Sequence, residues 1–192
     1  LHDIAPGAEL AFRTGFLGAA DFAKGIIELQ QAGCDIIVED ITYISEPFYR
    51  DGIVARAVDS VTALGVAYFS AAGNFGTKSY QSTFYPVEAP PEINGMAHNF
   101  AGSTGDTDIY QSITLGEGTY TVVLQRDDGT AGNVTNSDFD IYLANENGST
   151  LFGFNRVNTS GAPAEVLPFT VAGNNAQTSF IIIRSAGSGP VN

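Results

Sequence analysis

The chain has few of the residues that would tie it to disulfide bonds, nucleic acids or membranes. Cys34 is the single cysteine, so no disulfide can form within the chain, and we interpret it as a small buried filler. Only 8 lysines and arginines oppose 21 aspartates and glutamates, which gives a net charge of -13 at pH 7. A field of that sign repels phosphate, so neither nucleic acid nor an anionic membrane surface is an expected partner. No apolar run is long enough to cross a bilayer, so no transmembrane segment is expected, and Leu1 does not open a signal peptide.

What the chain does contain separates into two patterns. Its 192 residues, 44% of them hydrophobic, can bury one large core or two small ones, and we favour two. Residues 1–77 predict a partial α/β unit with a parallel sheet. Residues 78–192 predict an all-β unit inserted after it, an antiparallel β-sandwich.

The first pattern predicts the order βαβαβ. The expected strands are Ala8–Arg13, Asp35–Ile41 and Val66–Ser70, and the expected helices are Phe22–Gln31, capped by Asp21, and Asp51–Leu64. The run from Asp35 to Ile41 is apolar without alternation, which is typical of a strand buried on both faces of a parallel sheet. Functional loops are then expected at the carboxyl ends of the strands.

The second pattern is a series of short alternating runs separated by glycine, asparagine and aspartate. These runs predict the antiparallel strands Asp108–Ile113, Thr119–Gln125, Phe139–Leu143, Val166–Val171 and Ser179–Ile183.

The most informative short stretch is Ser70–Asn74, which ends an apolar strand with small side chains and then presents an amide. A side-chain amide held at a strand end is suited to donate a hydrogen bond to a tetrahedral oxyanion. The alternative is that Gly73, Asn74 and Gly76 simply make a turn, because glycine and asparagine are common turn residues.

The ordered set of these pieces resembles a known family. Ala5-Pro6-Gly7-Ala8, the strand opening at Asp35, the helix ending at Gly65-Val66 and the run Ala71–Asn74 together resemble the middle of the catalytic domain of subtilisin-like serine peptidases. The resemblance implies that Asn74 is the oxyanion donor and that Ala71, Ala72 and Gly73 form one wall of the first specificity pocket. It also implies protein or peptide substrates, no required cofactor, and a secreted or cell-surface bacterial protein.

The same resemblance implies that the chain is a fragment and is inactive alone. In the family, the aspartate and the base precede the Ala-Pro-x-Ala strand, and the nucleophilic serine follows the asparagine in a Gly-Thr-Ser motif. Neither the aspartate and base motifs nor the Gly-Thr-Ser motif is present here. Gly102-Ser103-Thr104 has the wrong order for the serine motif, and Gly148-Ser149 belongs to a predicted hairpin turn.

Two carboxylates depart from the family pattern. Glu39 and Asp40 end an apolar strand, and Asp40 and Ile41 stand where the family has a Ser-Leu-Gly-Gly segment that lines the pocket. A carboxylate there could bind a basic substrate side chain, or work as an acid with a raised pKa, as in the related sedolisins. The alternative is an ion pair with a nearby cation, namely Lys24, Arg50 or Arg56.

In the second pattern, Ser137–Leu143 followed by Asn147-Gly148 resembles pre-peptidase C-terminal domains, which accompany secreted bacterial peptidases. Asp138 and Asp140 are spaced to share one face of a strand, with Asp127, Asp128 and Asn136 near in sequence. Two interpretations remain open, a calcium site at Asp138 and Asp140 and a solvated acidic face.

Three further patterns receive structural interpretations. His2 and Asp3 are adjacent on an extended segment and are expected to point to opposite faces, and His98 is expected to face solvent. Asn133, Asn147 and Asn158 fit the glycosylation pattern, which matters only in a glycosylating host.

The sequence thus predicts a segment of a secreted subtilisin-like serine endopeptidase that hydrolyses peptide bonds. The alternative is a pseudo-peptidase whose β-sandwich is a non-catalytic binding or adhesion module.

Overall fold

A computed structural model describes residues 1–127, 137–145, 151–154, 157, 163–173 and 176–191. The chain separates into two compact units, Leu1–Ser79 and Tyr80–Asn192. The sequence predicts the division after Thr77. Among the described residues, no helix has the length and apolarity needed to span a membrane.

The first unit contains two helices and one parallel strand pair. In chain order its elements are α1 (Ala19–Gln31), β1 (Ile36–Glu39), α2 (Ile53–Thr62) and β2 (Ala67–Ser70). Strands β1 and β2 are parallel neighbours, in register from Ile36 opposite Ala67 to Glu39 opposite Ser70. A single cluster of buried side chains joins the helices to the sheet: Phe22, Ala23, Ile26, Ile37, Ala57, Val61 and Val66.

Both helices end in the same glycine-terminated motif, which leads directly into a strand. After α1, Gly33 adopts a positive φ and the N–H of Cys34 donates to the carbonyl of Leu29. After α2, Gly65 does the same, and the N–H of Val66 donates to the carbonyl of Val61. These bonds satisfy carbonyls that a helix end leaves unpaired.

Three predictions for the first unit are wrong in detail. The segment Ala8–Arg13 forms no strand and is largely exposed, because no neighbouring strand in the described chain supplies its hydrogen bonds. Asp21 does not cap α1, which has Gly18 at its N-cap. Strand β1 is buried on one face only, since both helices cover the Ile37 side and no element of the first unit covers the other.

The second unit is antiparallel throughout, as predicted. Its strands are β3 (Pro86–Glu88), β4 (Met96–His98), β5 (Gln111–Leu115), β6 (Gly118–Gln125), β7 (Asp138–Asn145), β8 (Leu151–Phe154), β9 (Ala164–Val171) and β10 (Ala176–Ala186). One sheet has the order β3-β4-β10-β7-β8, with β5 also paired to β10, and β6 pairs with β9 in a second sheet. The short strands β3, β4 and β8 were not predicted.

The two sheets of this unit contact each other through aromatic and aliphatic side chains. Phe169 on β9 meets Phe180 on β10 with ring centroids 6.4 Å apart. Leu124 at the end of β6 packs against the buried cluster of Phe84, Phe139 and Val191. This layering agrees with the sandwich class that the alternating runs predict.

Candidate functional site

The carboxyl ends of β1 and β2 lie at one edge of the parallel pair. Glu39 is opposite Ser70, and beyond them the N–H of Ala71 still donates to the carbonyl of Glu39 at 3.2 Å. Asp40 and Ala71 are therefore the first residues past the edge on the two strands. The fold thus brings Asp40 and the run Ala71–Asn74 to the same edge from positions about thirty residues apart in sequence.

Asn74 is presented to solvent at this edge. It follows Gly73, whose φ of 71° turns the chain away from the strand direction. Ala71, Ala72, Gly73 and Asn74 are all exposed. Within the described residues the Asn74 side chain accepts and donates no hydrogen bond, so its amide is available to a ligand.

The two carboxylates at the end of β1 have different surroundings. The Glu39 carboxylate folds back and accepts the N–H of Ile41 at 2.6 Å. Asp40 is exposed. Neither residue forms an ion pair in the part of the chain that the structure describes, and Lys24 pairs with Glu28 instead at 3.1 Å.

Ile41 is turned inward. Its side chain packs against the helical core and approaches so closely that a Cβ on Gly15 would lie 2.8 Å from Ile41 Cγ1. Asp40 and Ile41 are the two positions after this strand that are predicted to line a pocket. Only the Asp40 side chain is exposed and could contact a substrate, whereas the Ile41 side chain packs against the core.

Two tyrosines near this edge were missed by the sequence analysis. The hydroxyl of Tyr43 donates to the carbonyl of Gly15. The Tyr68 hydroxyl is buried with no hydrogen-bond partner among the described residues. Burial, followed by the charge of Glu39, raises the pKa of Tyr68, and burial, followed by Asp21 and Glu39, raises the pKa of Tyr43. Both phenols therefore stay neutral at physiological pH.

Asp21 serves as an ion-pair partner. Arg13 donates to Asp21 Oδ1 at 2.8 Å and to Glu28 Oε2 at 3.0 Å, so it fastens the segment before α1 to the helix. The hydrogen bond to Asp21, followed by that to Glu28, raises the pKa of Arg13. The hydrogen bond from Arg13, followed by that from Lys24, lowers the pKa of Glu28.

Neither histidine lies as predicted. His2 and Asp3 face each other, with His2 Nδ1 3.7 Å from Asp3 Oδ1, because Leu1–Ala5 forms a turn rather than an extended segment. His98 is only 3% exposed, although the sequence predicts that it faces solvent. It is buried because the aromatic residues before β3 fold over β4.

The two aspartates of β7 are buried, so the interpretation as a solvated acidic face is wrong. Asp138 Oδ2 accepts the hydroxyl of Ser185 at 3.1 Å, and Asp140 is fully inaccessible. Calcium binding at Asp138 and Asp140 stays a prediction, because Asp128 and Asn136 lie outside the described residues. Among those described, no group of three histidine, cysteine, aspartate or glutamate residues is arranged to hold a metal ion.

Arg126 is a third residue that no sequence pattern singled out. It is buried at the end of β6, and its guanidinium donates to the carbonyl of Ser137 at 2.6 Å and lies 5.2 Å from the Phe139 ring centroid. An arginine immediately after an alternating strand was the available signal, but such a residue is usually exposed.

The second unit has an open, mainly apolar pocket of about 440 Å³. It is lined by Leu143, Phe152, Phe169, Thr170, Val171, Ala172, Ala176 and Thr178. The predicted glycosylation sites at Asn133, Asn147 and Asn158 lie outside the described residues.

No family model, no curated protein and no solved structure matches this chain.

Proposed function

We propose that this chain is the oxyanion-donor segment of a secreted subtilisin-like serine endopeptidase. The observation that carries the proposal is the shared edge, at which the exposed Asp40 follows one strand and the exposed run Ala71–Asn74 follows the other. Small side chains leave room for a substrate backbone, and a side-chain amide next to them is of a type suited to donate to an oxyanion.

The uncovered face of the parallel pair supports this proposal. Ile36, Val38 and Phe69 are 64%, 56% and 59% exposed on the side of the sheet opposite the helices. Parallel strands in folded proteins are normally covered on both faces. The apolar side chains on this exposed face are of the kind found in a sheet that is covered on both faces. We therefore infer that this unit is part of a larger α/β domain that covers the second face.

In the proposed reaction, Asn74 acts on charge that exists mainly in the transition state. Its amide donates to the oxygen of the attacked carbonyl as that oxygen becomes negative, which lowers the barrier by about 3–4 kcal/mol. Asp40 is the group on this edge that would select a basic substrate side chain. The nucleophile and the general base belong to segments outside these 192 residues, so the chain alone is not a catalyst.

The experiment that tests the proposal is Asn74→Ala in the full-length gene product. We expect kcat to fall about a hundredfold or more with KM nearly unchanged, because the lost bond forms in the transition state. Peptide hydrolysis measures both constants. Asn94→Ala, at another exposed asparagine, is the control and should leave kcat unchanged. If Asn74→Ala kept the full kcat, Asn74 would have only a structural role in the turn.

The chain of 192 residues should not react with a fluorophosphonate probe. Such a probe labels a serine that a neighbouring base has activated, and no such pair is predicted here. Mass spectrometry of the treated chain reads the outcome directly. Stoichiometric labelling of any serine would contradict the proposal that the nucleophile and the general base lie outside these 192 residues.

One observation favours a second candidate, a binding module in a pseudo-peptidase. The second unit has an open, mainly apolar pocket with Phe152 and Phe169 in its wall, and an apolar group of a ligand would pack there. The two candidates separate in one measurement: the full-length gene product hydrolyses peptides under the first and does not under the second.

A further inference from the structure

His98 is enclosed by aromatic rings in the second unit. Its ring centroid lies 4.7 Å from that of Phe100, 5.6 Å from Phe84, 6.1 Å from Tyr80 and 6.3 Å from Tyr85. Three of these rings belong to the segment Tyr80–Tyr85, which opens the unit and runs up to β3. The imidazole is therefore the common contact between that segment and the sheet.

The hydrogen bonds of His98 require the neutral ring. The backbone N–H of Tyr85 donates to Nδ1 at 3.2 Å, so Nδ1 carries a lone pair and the ring proton is on Nε2. Nε2 lies 3.3 Å from the Tyr80 hydroxyl oxygen, which can accept that proton. Each end of the segment Tyr80–Tyr85 thus has one bond to the same imidazole.

We propose that His98 is a pH-sensitive clamp that holds Tyr80–Tyr85 on the sheet when neutral and loosens it when protonated. A proton on Nδ1 would point at the Tyr85 N–H, so two donors would face each other and the backbone N–H would lose its acceptor. A buried donor without a partner is costly, and so is a buried cation.

The groups around the imidazole do not offset this cost. The segment contributes the hydroxyls of Tyr80 and Tyr85, and β10 contributes Arg184, whose guanidinium lies 4.8 Å from the Phe84 ring centroid. An imidazolium would share that ring with a second cation. The carboxylate of Asp108, next to the Phe100 contact, instead accepts the N–H of Tyr110 at 3.0 Å.

The direction of the pH effect follows from burial. Burial lowers the pKa of His98 below its ordinary value of about 6.5, so the unfolded or released ring binds a proton more readily than the clamped ring. The clamp is therefore complete above about pH 6.5 and is lost as the pH falls from there through the lowered pKa.

The other contacts of the segment set the size of the change. The N–H of Phe84 donates to the carbonyl of Val191 at 2.8 Å, and the Phe84 ring packs against Phe139 at 4.9 Å. Those contacts do not titrate in this range. Acid should therefore loosen Tyr80–Tyr85 locally and leave the rest of the sheet paired.

The experiment follows the Tyr85 amide and the two histidine rings of the full chain by NMR between pH 8 and pH 5. This range stays above the ordinary carboxylate pKa of about 4. Exchange of the Tyr85 amide, corrected for its intrinsic rate, should speed up by as much as about tenfold per pH unit between the unfolded and the clamped pKa of His98. The ring nitrogen shifts should show the proton on Nε2 at pH 8.

His98→Asn is the test variant, since its amide oxygen can accept the Tyr85 N–H and does not titrate in this range. Its Tyr85 exchange should be independent of pH after the same correction. His2→Asn removes the other, exposed histidine and should behave as the wild type. If His98→Asn does not fold, the wild type still decides: the loss of Tyr85 protection must begin near about pH 6.5 and level off at the pH where the His98 ring titrates.

Three results would overturn the clamp. They are a Tyr85 amide whose protection stays constant while His98 titrates, an unchanged pH dependence in a folded His98→Asn, and a proton on Nδ1 at pH 8.

Discussion

At the scale of single residues, the pairing of β7 with β8 depends on a glycine at one position. Gly153 on β8 is directly opposite Tyr142 on β7. A Cβ at Gly153 would lie 2.4 Å from Tyr142 Cδ1 and 2.9 Å from the carbonyl oxygen of Ile141. The Tyr142 ring therefore lies across Gly153. The carbonyl oxygen of Ile141 is part of the strand backbone, so it cannot move away from an added methyl group.

Gly153→Ala should destabilise the second unit by about 1–3 kcal/mol, because the added methyl displaces Tyr142 or separates the strands. Urea denaturation followed by circular dichroism measures the change in the free energy of unfolding. Gly116→Ala is the matched control, since nothing lies within 4 Å of a Cβ there. Equal stability of the two variants would mean that Tyr142 does not cover Gly153.

At the scale of elements, β9 combines a clear alternation with an edge position. Leu167 is 0% exposed and Val166 is 40% exposed, as expected for a strand with one face on a core. Pro168 has no N–H, yet it is tolerated in the strand because β6 is the only strand that pairs with β9 among the described residues. The alternation therefore sets which side chains of β9 pack on the core.

Leu167→Ala should cost about 2–5 kcal/mol, since it removes a fully buried side chain and leaves a cavity between the sheets. Val166→Ala, one residue away on the exposed face, should cost far less. The midpoints of thermal unfolding of the two variants give the comparison. A larger loss for Val166→Ala would place the core of the second unit on the other face of β9.

At the scale of the whole molecule, the two units differ in how completely they bury their apolar surface. The second unit has two sheets that cover each other and its own buried clusters. The first unit leaves Ile36, Val38 and Phe69 uncovered on one face of its parallel pair. Exposed apolar area of that kind marks a surface that needs a partner layer.

Residues 80–192, expressed alone, should therefore fold and melt cooperatively with a β-type circular dichroism spectrum. The reason is that their strands pair within the unit and the described core clusters of that unit draw only on residues beyond Ser79. Temperature-dependent circular dichroism checks this, with the full chain as reference. A disordered product would mean that the second unit depends on the first for its core.

Local sequence patterns specify the class and position of most elements. Apolar spacing located both helices, Gly65 marked the end of the second one, and alternation located five of the eight antiparallel strands that the structure describes. The short strands β3, β4 and β8 carry too few residues to show a period, so only their partners define them. The predicted strand at Ala8–Arg13 failed for the converse reason, since a β-type segment without a neighbour forms no ladder.

The surroundings of each candidate functional residue depend on contacts between segments that are separated in sequence. The local pattern around Asn74 and Asp40 shows two strand ends, but the parallel register of β1 and β2 is what brings them to one edge. His98 and Asp140 look like solvent-facing polar residues in sequence, yet both are buried, and His98 is buried because the segment Tyr80–Tyr85 folds over it. Burial, and with it the protonation of an imidazole or a carboxylate, depends on those distant neighbours, and no pattern within a single strand contains them.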